Sequence, residues 1–216
     1  MRTLLVVLMV LTFYPSSFSQ DTSFIPKYAL SFGIKDNFTL SSFNMDIAMK
    51  KIFEDSNQLR LFVSPRITTL NQDSNVEGTG QSQEIETRNY SLGIGADYLW
   101  TLMVQDDFRL FGGPGLILSY SKRQNKNYTS MNDSTNNTNE TSAVTTDAGL
   151  RGILGVEWKV SEKIGIHCEY IVTGSYYWEQ SDQKIFINGV QDIAIKKTGT
   201  GIYLSSNVLF GLSIYF

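Results

Sequence analysis

The chain's only histidine and only cysteine are neighbours, His167 and Cys168, and Glu169 follows them. In an extended strand His167 and Glu169 share one face and Cys168 takes the other. A histidine beside a carboxylate supplies two members of a hydrolytic triad, whose third member is a serine or thiol. That third member is missing locally, because position 165 is Gly and position 171 is Ile. Cys168 points away from the pair and reads as a small apolar residue. One histidine and one cysteine exclude multi-histidine and multi-cysteine metal centres and any internal disulfide framework. No metal, cofactor or enzymatic activity is expected.

The remaining chemistry-bearing residues are charges on one face of alternating segments. Large apolar side chains stand at every second position over 28–34, 43–49, 59–67, 90–100, 108–120, 148–158, 164–172 and 202–216. The positions between are mostly small or polar, with a few large apolar residues such as Phe62, Phe111, Ile153, Ile171 and Leu209. A period of two means strands with one apolar face. Eight such segments are present, and many run for ten residues, longer than the ~5–6 usual in a globular sheet. A strand crossing a bilayer needs roughly 9–11. The polar face of these strands carries Lys35, Asp46, Lys50, Arg60, Arg66, Asp97, Arg109, Asp147, Arg151, Glu157, His167 and Glu169.

The elements that must position these charges alternate in their connections. Residues 54–58, 105–107 and 161–163 are tight turns; a modest loop covers 37–42. Thr69–Arg88, Lys122–Thr146 and Tyr177–Thr198 read as long loops. The middle one is rich in Asn, Ser and Thr, cannot bury a core, and is expected to be solvated and mobile. It holds N-x-[ST] sequons at Asn127, Asn132, Asn136 and Asn139, read as a consequence of composition. Asn188-Gly189 between apolar residues signals a hairpin that carries the last two strands outward. Gly112-Gly113-Pro114-Gly115 is expected to form a bulge or bend. Short turns at one end and long loops at the other describe an all-β, eight-stranded, antiparallel up-and-down barrel, with both termini at the short-turn end.

Alternation alone does not say which face is inside. A soluble lipocalin-like carrier turns its apolar face inward; a membrane barrel turns it outward. Gly and Ser crowd the opposite face, which suits a narrow lumen. The aromatics form two groups, Tyr28, Trp100, Phe108, Trp158 and Phe216 near the short turns, and Tyr90, Tyr120, Tyr176 and Trp178 near the long loops. Two girdles mark two lipid interfaces. The apolar face is therefore expected to meet lipid.

Residues 1–19 read as an export signal: Arg2, an apolar run from Leu4 to Tyr14, and Ser17-Phe18-Ser19 before the cleavage site. Residues 20–216 then form one domain. With 18 basic and 21 acidic residues and no basic stripe, nucleic acid is not expected as a partner.

The segment Val208–Phe216, with Phe210, Leu212, Ile214 and a terminal Phe216, resembles the C-terminal signal of outer-membrane proteins. Gly155–Tyr170 resembles the penultimate hairpin of small OmpA/OmpX-like barrels. The resemblance implies a bacterial outer membrane reached by Sec-type export. It also implies outer-membrane lipid as surroundings, with periplasmic chaperones and the barrel-assembly machinery as partners in biogenesis. No peptidoglycan-binding domain is expected after the barrel. Some barrels of this architecture edit lipid A acyl chains, but the missing serine beside His167 speaks against that here.

An eight-stranded lumen is just wide enough for side chains, so its charges are expected to pair into a plug. The expected role is structural or adhesive, through the long loops and an extracellular or host ligand. The alternatives are a narrow pore for ions or small solutes and the soluble carrier.

Overall fold

The computed structural model describes residues 27–35, 42–76, 81–131, 135–188 and 190–216. The export signal at 1–19, residues 20–26, most of the 37–42 loop, Asn132 and Gly189 lie outside the described residues. Eight antiparallel strands form a closed barrel in chain order: β1 (Tyr28–Lys35), β2 (Ser42–Ile52), β3 (Gln58–Val76), β4 (Gln81–Gln105), β5 (Phe108–Met131), β6 (Thr135–Ser161), β7 (Ile164–Ile187) and β8 (Val190–Tyr215). The first strand closes on the last, from Ala29 opposite Tyr215 to Lys35 opposite Leu209.

The barrel's pitch follows from its register. From Leu212 the paired residues run through Phe32, Ile47, Val63, Ile94, Leu118, Ala148 and Tyr176 to Ile202. One circuit therefore shifts the register by ten residues along β8. With eight strands, that shear corresponds to a strand tilt of roughly 40°. Tyr90 and Trp100 on β4 are then separated by roughly 33 Å along the strand and about 25 Å in height, the thickness of a lipid-facing band.

The apolar face is outside. Leu116, Leu150, Ile202 and Leu204 are 60%, 68%, 81% and 77% exposed. On the opposite face of the strands, Lys50, Glu157, Glu169 and Asp97 are fully or almost fully buried. A water-soluble barrel would have the reverse arrangement, so the lipocalin-like alternative fails on the side-chain directions. Aromatic pairs mark both rims. Tyr28 stacks on Phe216 and Phe108 on Trp158 at the short turns, and Tyr176 meets Trp178 edge-on at the other end.

The tight turns are built as the composition requires. Asp106 takes a left-handed φ of 50° in the two-residue turn between β4 and β5, and Asn188 one of 52° between β7 and β8. Both are among the few non-glycine types that tolerate this region.

Three corrections to the expected architecture follow. First, the described residues of Thr69–Arg88 and Lys122–Thr146 are strands and not loops, while Tyr177–Thr198 forms the projecting hairpin expected around 185–190. Ladder pairing continues from Thr69 opposite Arg88 to Val76 opposite Gln81, from Lys122 opposite Val144 to Met131 opposite Thr135, and from Tyr177 opposite Gly201 to Ile187 opposite Val190. Neighbouring hairpins also pair with each other, Gln81 with Met131 and Asn137 with Ile187. Thus β3–β8 stand above the upper girdle as one six-stranded wall. Backbone pairing needs no apolar face once each strand has a neighbour on which to extend. The Gly112–Gly115 segment is the second difference: it pairs in regular register with β6. The irregularity in this region lies on β4 between Thr101 and Met103, opposite Phe111 and Leu110. Third, the lumen is not purely polar, since Leu99, Phe111, Ile153, Ile171 and Leu209 form a buried apolar cluster inside it.

Candidate functional site

Inward parity places the lumen charges in three tiers. In the lowest, nearest the short turns, Glu157 is engaged by Arg109 and stands 3.5 Å from Lys50. Lys50 donates to Ser213 at 2.9 Å, and Arg109 to the Tyr215 hydroxyl at 3.2 Å. With its amide oxygen turned toward Arg109, Gln58 accepts from both terminal nitrogens at 2.6 Å.

In the middle tier Arg60 bridges two carboxylates. Its Nε donates to Asp97 at 2.8 Å and its Nη1 to Glu169 at 2.5 Å. His167 Nε2 lies 3.6 Å from Glu169. The barrel also brings serines to His167 from other strands. Ser31 Oγ is 3.5 Å from Nε2, and Ser213 Oγ is 3.3 Å from Nδ1. A serine–histidine–carboxylate set is therefore assembled by closure of β1 and β8 on β7. It is sealed, with Ser31, His167, Glu169 and Ser213 all buried and only a 10 Å³ void beside them. Two close approaches make room here. A Cβ on Gly211 would strike the His167 ring, and one on Gly95 would strike Phe62 and the Leu116 carbonyl.

In the upper tier Lys35 donates to Asp46 at 2.5 Å and to Ser64 at 3.2 Å. The Arg151 guanidinium lies 4.1 Å above the Phe62 ring and 3.8 Å from Asp97. Above it opens a polar cavity of about 250 Å³, facing the projecting wall.

Ten of the twelve expected lumen residues thus contact one another. Two do not join this ion-pair network. Arg66 is exposed at the mouth of the cavity and forms no ion pair among the described residues. Asp147 accepts from Ser119 at 2.5 Å instead of from a cation. Both have inward parity, but they line the open cavity above the plug and not the packed tiers below it.

The wall has its own pattern. Glu86 stands opposite Lys126, Lys126 opposite Glu140, and Glu140 opposite Lys184, a row of alternating charge across four strands. Lys126 contacts Glu140 at 2.9 Å, and this hydrogen bond holds its pKa above lysine's ordinary value. On the other face Gln83 donates to Asn127 at 3.2 Å and Gln183 to Asn139 at 3.3 Å.

No family model matches this chain, and no curated protein matches it by sequence. Comparison of the fold finds outer-membrane proteins. The ferric yersiniabactin uptake receptor FyuA from Yersinia pestis aligns at 11% identity and a TM-score of 0.47, over 77% of this chain and 25% of the receptor. This chain therefore spans a quarter of that receptor's length. A major outer membrane protein from Thermus thermophilus aligns at 11% identity and 0.39, over 88% of this chain and 98% of that protein. CarO from Acinetobacter baumannii aligns at 10% and 0.34, over 89% and 98%.

Ser31, Ser213, Gln58 and Tyr215 were not singled out in the sequence, though each has inward parity. Hydroxyl and amide side chains at inward positions next to charges are the signal that would have found them. Phe210, Leu212, Ile214 and Phe216 all face outward, 38–60% exposed.

Proposed function

We propose that this protein sits in a bacterial outer membrane and acts at the cell surface, holding partners on its projecting β-wall. The observation that carries the reading is the wall itself. Six strands continue past the upper girdle, and among the described residues β3 beyond Thr68 and β8 before Leu209 have a neighbour on one side only. Such edges offer unpaired N–H and C=O groups to an added strand. Lys196, Lys197 and the glycines 199 and 201 on β8 limit indiscriminate pairing. The closer likeness to OmpA/OmpX-like barrels belongs to the same proposal. So do assembly through the outward Phe210, Leu212, Ile214 and Phe216, and the export signal.

In this reading the lumen is a plug. Arg60, Arg109, Arg151 and their carboxylates fill the barrel, and the His167 cluster packs it without catalysis, metal or cofactor. Removal of residues 69–88, 122–146 and 177–198 is expected to abolish surface binding by cells bearing the protein while the barrel still folds. Unchanged binding would remove the proposal. Conductance in planar bilayers that disappears on neutralising Arg60, Arg109 or Arg151 would replace the plug with a pore. Ester hydrolysis lost in His167→Ala would restore an enzymatic reading.

A further inference from the structure

The cavity above the plug is charged asymmetrically, and its charges are not all spent. Arg151 is 4% exposed and lines the cavity, and no carboxylate among the described residues comes within hydrogen-bond distance of its guanidinium. The carboxylate nearest to it, Asp97 at 3.8 Å, already accepts from Arg60 at 2.8 Å. A buried guanidinium that no carboxylate hydrogen-bonds is costly unless something else answers its charge. Arg66, with no carboxylate partner among the described residues, lines the same cavity. Lys35 lines it as well, with its charge met by Asp46 at 2.5 Å. Among the described residues the one acid on the lining is Asp147, which accepts from Ser119. Tyr203 adds a hydroxyl.

We propose that this cavity is a binding site for a small oxyanion that still carries a proton, of the hydrogenphosphate class. Two guanidiniums supply planar donor pairs that match phosphate oxygens. Asp147 accepts the remaining P–OH, a donor that inorganic phosphate retains at neutral pH and sulfate does not. A fully deprotonated oxyanion would instead place a lone pair against the Asp147 carboxylate. The volume of about 250 Å³ holds such an ion with several waters, each occupying ~30 Å³ in the liquid. The ion-paired tiers close the floor, so the geometry fits retention of a solute and not its passage. The wall above makes the approach aqueous, so the ion comes free from solution.

The test is calorimetric titration of inorganic phosphate, and separately sulfate, into the full-length chain folded in a sugar-headgroup detergent and phosphate-free buffer. Phosphate is expected to bind saturably, and sulfate at least ~tenfold more weakly. Arg66 is exposed and makes no ion pair among the described residues, so Arg66→Ala leaves the fold intact. It is expected to weaken phosphate at least ~tenfold, the scale of a charged hydrogen bond. Asp147→Asn is expected to narrow the gap between phosphate and sulfate. Lys196→Ala, outside the cavity, is expected to change nothing. No saturable phosphate binding overturns the proposal. So does equal sulfate affinity, or a loss in Lys196→Ala as large as in Arg66→Ala.

Discussion

Strand β6 pairs with β7 from Ser161 opposite Ile164 to Asn137 opposite Ile187, with one irregularity between Lys159 and Ser161. Its two halves solve different problems with the same backbone ladder. Below Thr146 the outward side chains are Ala148, Leu150, Leu154, Val156 and Trp158, facing lipid, and the inward ones include Arg151, 3.8 Å from Asp97, and Glu157, held by Arg109 and Lys50. Above Thr146 both faces are wet. There the outward Glu140 reaches Lys126 at the surface, and the inward Asn139 accepts from Gln183. An ion pair appears in each half, but the two differ greatly in worth. The buried carboxylates cannot find water if a partner is lost, whereas the exposed pair exchanges its contact for hydration. The comparison teaches that stability resides in the lower half and that the upper half is free to vary for recognition.

The largest effect that would test this contrast is removal of Arg60. Asp97 and Glu169 would both lose their principal cation inside the barrel. Arg60→Ala is expected to cost about 3–5 kcal/mol, read from urea unfolding of vesicle-embedded protein. A cost near that of a surface pair would mean that water already reaches the middle tier. Next comes the lipid face. Leu150→Arg, between the two girdles, is expected to cost roughly 2–4 kcal/mol in the same assay. Tolerance would place Leu150 away from the bilayer core. Inside the barrel, Gly95→Val is expected to cost about 1–3 kcal/mol, because the added carbons meet Phe62 and the Leu116 carbonyl. The smallest effect belongs to the wall. Glu140→Lys sets like charges beside Lys126 and Lys184. The unfolding midpoint should not move, while amide exchange speeds up only around 122–130 and 180–187. A shifted midpoint would show that wall and barrel unfold as one unit.

Much of the lower half was legible in the residues. Alternation over Phe108–Tyr120 and Ala148–Trp158 sets which side chains share a face, and the aromatic girdles say which face meets lipid. The inward charges followed from the same parity. The upper half was not legible, because Asn, Ser and Thr in Lys122–Thr146 are equally at home in a solvated loop. What orders them is the neighbouring hairpin, through pairs such as Asn127 with Asn139. Arg66 and Asp147 show the same limit at the rim. Their parity is inward, but parity does not say how far across the lumen the next charge stands.

The sequence by itself determined a strand-rich chain with an apolar face, a charged face, short turns at one end and a single histidine. These are local properties, set by the period of two and by turn chemistry. Only the tertiary structure decided the rest. The closed ring and its ten-residue shear bring Ser31 and Ser213 to His167, let Arg60 span Asp97 and Glu169, and leave Arg151 with no hydrogen-bonded carboxylate beneath an open cavity. Those contacts join residues from different strands, and their distances depend on register around the whole barrel, which no single segment encodes.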